Sequence, residues 1–224
     1  MTESRWVLKP VPPKPTPDEA AEALAAAESS LSRWTADSDE RTRAAEVAAA
    51  ELAEAEAVAG DAAYETPDNL DQLGDDLIRR RTQLEVSHRA VTAAHGRVDV
   101  ARREVLTARA LDARTRADRL RSVAAARQAR TDQLIAEVNA FEQTSFTASP
   151  FTDSAAPMPL TKRMLHRAEW LDGQADDLAR AAETANREQL AAAVARPPLP
   201  LEAVEEQAFG SAFDSTERPV PATS

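Results

Sequence analysis

Apolar side chains recur every seventh residue through the middle of the chain. Leu70, Leu77, Leu84, Val91, Val98 and Val105 form one row. Leu106, Ala113, Leu120, Leu134 and Phe141 carry it on, displaced by one position and broken only at Arg127. A sustained seven-residue repeat places one apolar stripe along a helix and predicts a coiled-coil seam. No proline interrupts residues 68–143. At 1.5 Å per residue such a helix is about 110 Å long, beyond the range of globular-domain helices. The one-position slip near Val105 predicts weak supercoiling or a change of packing partner.

Two further segments repeat the pattern with smaller side chains. In residues 18–59, Leu24, Leu31, Ala45, Leu52 and Ala59 share one heptad position, with Ser38 as a polar interruption. Ala27, Trp34, Ala48 and Ala55 share the other, with Arg41 as the exception. Pro17 followed by Asp18 and Glu19 marks the start, and Gly60 is read as the stop. Residues 160–195 show a third seam of Met164, Ala168, Leu171, Ala175, Leu178, Ala182 and Ala185. Arg196-Pro197-Pro198 ends it.

The expected architecture is therefore all-α: an elongated antiparallel coiled coil, or helical rod, with one very long central helix and extended Pro-rich arms. Residues 1–17 form the first arm, a helical hairpin covers 18–143, and 144–159 are a linker. Residues 160–195 pack back on the long helix, and 196–224 form an acidic, Pro-containing tail with a short helical turn at Leu201–Phe209. The packing seam is expected to use Leu24, Leu31, Trp34, Leu52, Leu70, Leu77, Leu84, Val91, Val98, Val105, Leu120, Leu134, Phe141, Leu171 and Leu178. Trp6 and Leu8 in one arm, and Phe209 and Phe213 in the other, are candidate anchors.

Composition agrees with helices rather than a globular core. Aromatic residues make up 4% of the 224 residues, and there are 5 glycines. Alanine dominates; it forms helices well but buries little area. The chain has no cysteine, which removes disulfides and thiolate metal sites. No segment resembles a signal peptide or a membrane span. The expected location is the cytoplasm or a phage or virion assembly.

The net charge of −11 disfavours nonspecific nucleic-acid binding by the chain as a whole. Residues 79–130 run against that balance, with fourteen arginines and five acids. Arg81, His88, His95, Arg102 and Arg109 flank the seam on one side. Glu28, Asp37, Glu51 and Glu56 occupy the matching flanks of the first helix, so interhelical pairing is expected. The alternative is a phosphate-binding face of Arg102, Arg109, Arg116, Arg119, Arg127 and Arg130. It lacks the stacking aromatics that usually accompany such faces. Arg79, Arg80, Arg89 and Arg103 are expected to point outward and stay free.

Chemistry is poorly represented. His88 and His95 lie two helical turns apart, and His166 stands alone, so no metal is expected. Asp75-Asp76 and Asp176-Asp177 sit on solvated helix faces rather than in a cleft. No nucleophile motif or phosphate-binding glycine loop is present, and no cofactor or small-molecule substrate is expected. The reading is a non-enzymatic structural or assembly protein: a spacer, clamp or scaffold-like component bound to other protein subunits as a homo- or hetero-oligomer. A nucleic-acid-binding coiled coil is the first alternative, and a secreted helical effector or export substrate is the second.

Overall fold

The computed structural model describes residues 15–65, 70–142 and 158–210. Side chains are described for these except at 62–65, 70, 141–142 and 210. Among the described residues the chain is all-α, with helices α1 (Pro17–Glu65), α2 (Leu70–Glu142), α3 (Leu160–Thr184), α4 (Arg187–Ala195) and α5 (Ala203–Gly210).

The start of α1 is set by Thr16-Pro17-Asp18-Glu19. The Thr16 N–H donates to Glu19 Oε2 at 2.6 Å, and the Glu19 N–H donates to Thr16 Oγ1 at 3.3 Å. This reciprocal box satisfies two donors that a helix start leaves open. Pro17 takes the first helical position, where its missing N–H costs nothing. At the other end α1 runs past the expected stop at Gly60 and continues to Glu65. A glycine ends a helix by adopting a left-handed conformation, and Gly60 does not adopt one. The following Asp-Ala-Ala-Tyr-Glu then has nothing to oppose further helix.

The chain divides into two units. One draws its described residues from Met1–Ala23, Leu111–Ala175 and Leu199–Ser224, and the other comprises Leu24–Ala110 and Asp176–Pro198. In the second unit, α1 and α2 are packed against each other and antiparallel. Glu56 meets Arg81 at 2.8 Å, Glu51 meets Arg80 at 3.9 Å, Asp37 meets Arg97 at 3.9 Å and Glu28 meets Arg109 at 3.5 Å. From the Glu56 and Glu51 pairs to the Glu28 pair, the α1 numbers fall while the α2 numbers rise from 80–81 to 109. Each of the four acids flanking the α1 seam thus has an arginine partner on α2.

Burial along this pair is uneven. Ala45, Ala48, Ala94, Val98, Ala101 and Val105 are buried. Leu24, Leu31, Trp34, Leu52, Leu77, Leu84 and Val91 are only half-buried. Two helices cover each other along one line, and large residues beside that line keep a wet flank. Large side chains become fully buried where a third element arrives. Leu106 packs with Ala182 and Ala185 of the α3 end and with Leu190 of α4. Val105 and Leu106 are both fully buried, although adjacent side chains on a helix point about 100° apart. At the slip in the heptad row, Leu106 begins a row that packs on the α3 end and α4, beside the buried Val105 that ends the earlier row.

The expected single helix over 160–195 is two helices. Asn186 has φ −74° and ψ 176°, an extended conformation, and its side chain accepts the Gln189 N–H at 2.9 Å. Gln189 in turn accepts the Asn186 N–H at 3.0 Å. Asparagine is a weak helix former but a strong cap, so Asn-Arg-Glu-Gln begins a new helix instead of prolonging the old one. The unbroken alanine periodicity hid this break. α4 runs parallel to α2: Arg187 meets Asp99 at 2.8 Å, and the Val194 carbonyl accepts from Arg109 at 3.0 Å.

In the first unit, Ala113, Ala117, Leu120 and Ala124 of α2 are buried, as are Met164, Ala168, Leu171 and Ala175 of α3. Arg121 pairs with Asp172 between the two helices. Leu134, expected in the seam, is 45% exposed. It stands thirteen residues beyond Arg121, past the twelve residues by which α3 extends from Asp172 to Leu160. The short helical turn expected at Leu201–Phe209 is α5, whose Val204 and Ala208 are buried. The side chains of Leu70 and Phe141 lie outside the described ones.

Candidate functional site

The proposed anion face is occupied by the chain itself. Arg109 donates to the Val194 and Arg196 carbonyls at 3.0 and 2.9 Å, in addition to meeting Glu28. Arg116 donates to the Leu199 and Pro200 carbonyls at 3.1 and 3.0 Å and to Glu205 at 2.8 Å. Arg119 lies over the Phe209 ring, 4.3 Å from its centre, a cation–π contact that fixes α5 on α2. Arg102 pairs locally with Asp99 at 3.2 Å, and Arg130 bonds to Gln133 at 2.9 Å. Arg127 is engaged as well. A row offered as an alternative phosphate-binding face thus divides into internal fasteners and local pairs.

The outward set is also engaged, which corrects the expectation that it stays free. Arg80 bridges Asp76 and Glu51, Arg79 pairs with Asp76, and Arg89 meets Glu85 at 3.5 Å. Arg103 donates to the carbonyls of Ala182, Glu183 and Ala185, the last two at 3.2 Å. A helix ends with carbonyls that have no partner within the helix, and a planar guanidinium can take several at once. Arg103 therefore caps the end of α3 where Asn186 breaks the chain direction.

The most developed polar cluster lies in the first unit. Glu205 has no exposed surface. Its carboxylate accepts from Arg116 at 2.7 Å on one side and from Arg167 at 3.0 Å on the other. Arg167 is 5% exposed and also meets Glu202 at 2.7 Å and the Pro200 carbonyl at 2.8 Å. The Glu202 N–H donates to Glu205 Oε2 at 3.2 Å, so the same carboxylate helps to start α5. Two arginines from two helices thereby hold residues 199–205 through carbonyls and carboxylates. Sequence reasoning missed Arg167 and Glu205. The available signals were an arginine inside the α3 seam beside Ala168 and a Glu-x-x-Glu spacing after Pro200.

The first unit has two clefts, one of them bordering this cluster. One, of about 310 Å³, is lined by Arg163, His166, Arg167, Trp170 and Glu202 among others. Arg167 lies over the Trp170 ring at 4.1 Å. The other, of about 620 Å³, lies along α2 between Leu111 and Ser122 and is closed on one side by Pro15 and Pro17. Trp34, expected as a packing knob, is half-buried and held between Arg33 and Arg97 at 4.9 and 5.0 Å.

Ion pairs shift a few carboxylates. Hydrogen bonds from Arg80 and then Arg79 hold Asp76 below the usual aspartate range. Arg41 does the same for Asp37, with Arg97 adding its charge. Among the described residues no group of three His, Asp or Glu side chains is placed to hold a metal, and no helix is long and apolar enough to cross a membrane. Of the arm anchors, Phe209 is seated under Arg119, while Trp6, Leu8 and Phe213 lie outside the described residues. No protein-family model, curated protein or solved structure matches the chain.

Proposed function

We propose that the chain is a non-enzymatic structural or assembly protein that acts by protein–protein contact, a spacer, clamp or scaffold-like part of a larger particle such as a phage virion. One observation carries the reading: the α1–α2 pair leaves its apolar residues partly uncovered. Leu52, Leu77, Leu84 and Val91 on the seam are half-buried, and Val47, Val58, Ile78, Val86 and Val100 are more than half exposed. Apolar surface concentrated on two long helices is what a partner helix covers. Binding through nucleic-acid phosphates has less support, because most of the arginines it would use already hold carboxylates or carbonyls of the chain.

A photo-crosslinking amino acid at Ile78 or Val86, in the full chain expressed in its own source, tests this. The expected result is a discrete protein adduct, another protein or a second copy, that Leu84→Asp removes. Adducts to nucleic acid alone, or no adduct, overturn it. Fluorescence anisotropy with labelled duplex and single-stranded DNA at low salt examines the alternative, since phosphate binding weakens steeply with salt.

A further inference from the structure

We propose that the 620 Å³ groove on α2 is a docking site for the chain's own N-terminal segment, with Trp6, Val7 and Leu8 as its occupant. The groove lies wholly within the first unit. Leu111, Thr115 and Ser122 lie on one face of α2 along it, and Pro15 and Pro17 form a wall. Two aspartates (Asp118 and Asp172) and two arginines (Arg114 and Arg119) also line it. Those charges balance, so the rim favours neither an anion nor a polycation. An apolar side chain is the group that gains by entering.

The chain itself brings such a group to this place. The wall residue Pro15 is where the preceding segment joins, and Trp6 lies nine residues before it. In polyproline II form those residues span about 28 Å, sufficient to return along the groove. Pro10, Pro12 and Pro13 restrict the segment before it docks, so little ordering remains to oppose docking. Trp6-Val7-Leu8 is the only sizeable apolar cluster among residues 1–14. Bound there, the segment would pack beside Arg119 and Phe209 and join the first and last parts of the chain on one helix. The inference stands independently of the proposed partner contact on α1 and α2.

Tryptophan fluorescence tests it on the full chain. With Trp34→Phe and Trp170→Phe, Trp6 is the only tryptophan and is excited selectively over tyrosine, and circular dichroism reports whether the fold is kept. The expected result is blue-shifted emission and acrylamide quenching several-fold weaker than in a free peptide of residues 1–14. Ser122→Arg, or Thr115→Arg as a second blocking variant, is expected to restore the peptide's quenching. Peptide-like quenching in the unblocked chain overturns the proposal. So does protection that neither blocking variant removes. Protection lost on dilution overturns it too, because the occupant is then the segment of a second copy.

Discussion

Arg167 and Glu205 are paired at 3.0 Å with almost none of either side chain in contact with solvent. Such a pair contributes little relative to an apolar core, because removing two ions from water costs nearly what their attraction returns. Breaking it is a different matter. Glu205→Ala leaves Arg116 and Arg167 facing each other across the site without their shared acid. The expected loss is about 3–5 kcal/mol, read from urea unfolding, with α5 losing protection from hydrogen exchange first. A loss below about 1 kcal/mol would show that the site floods with water and that the carboxylate is not a fastener.

Arg103 carries the end of α3. Arg103→Ala leaves the Glu183 and Ala185 carbonyls without their donor, at an expected cost of about 1–3 kcal/mol. Arg103→Lys should recover little, because an ammonium cannot fork across several carbonyls. Full recovery by lysine would mean that charge alone, rather than the guanidinium plane, holds the helix end.

The break at Asn186 has its own signature. Asn186→Ala removes the cap of α4, with an expected cost of about 1 kcal/mol. Because alanine suits a helix interior, the variant should also gain helix signal by circular dichroism as α3 and α4 tend to join. Lower stability together with unchanged or lower helicity would argue against that competition.

The two leucines at Leu120 and Leu134 share a heptad row but not an environment. Leu120 is fully buried, and Leu120→Ala should cost about 2–5 kcal/mol. Leu134→Ala removes a side chain that is 45% exposed and should change the urea midpoint only slightly. Equal effects at the two positions would place a covering element over the end of α2.

Acid should weaken the ion pairs that Asp37 and Asp76 make with arginines one turn along their own helices. Asp37 and Asp76 have folded-state pKa values below the unfolded value of about 3.9, so their contribution is fully present above that value. It is lost as pH falls through the depressed values. Combining Asp37→Asn with Asp76→Asn should flatten the acid limb of a stability curve recorded between pH 7 and 2. An unchanged limb would assign the acid loss to other carboxylates.

Long-range order was readable where period and side-chain size agreed. The heptad rows marked α1, α2 and the α3 seam, and the slip after Val105 falls where Leu106 packs on the α3 end and α4. The flanking acids Glu28 and Glu56 pointed to pairing with Arg109 and Arg81, and these pairs are present. The break at Asn186 was not readable from periodicity, because alanines on both sides keep the repeat going. A cap is a local exchange of hydrogen bonds, and it competes with propensity on a scale that a repeat does not record. The partners of the arginine face are hidden for a related reason. Helical spacing shows that Arg102, Arg109 and Arg116 share a side, but not which later segment returns to meet them. Arg109 and Arg116 are met by carbonyls more than eighty residues away.

That separation sets an order of events during synthesis. Arg81 finds Glu56 at a distance of 25 residues, and both have been made once the first part of α2 is complete. Arg116 waits for Glu205, 89 residues later. At about 5–20 residues per second, the guanidinium is without its buried partner for roughly 4–18 s after it is made. The α1–α2 hairpin can therefore form early, while the first unit remains open on the ribosome until the last helix is released. A chain interrupted between residues 143 and 199 would carry finished helices with an unfinished core, and quality control would meet it in that form.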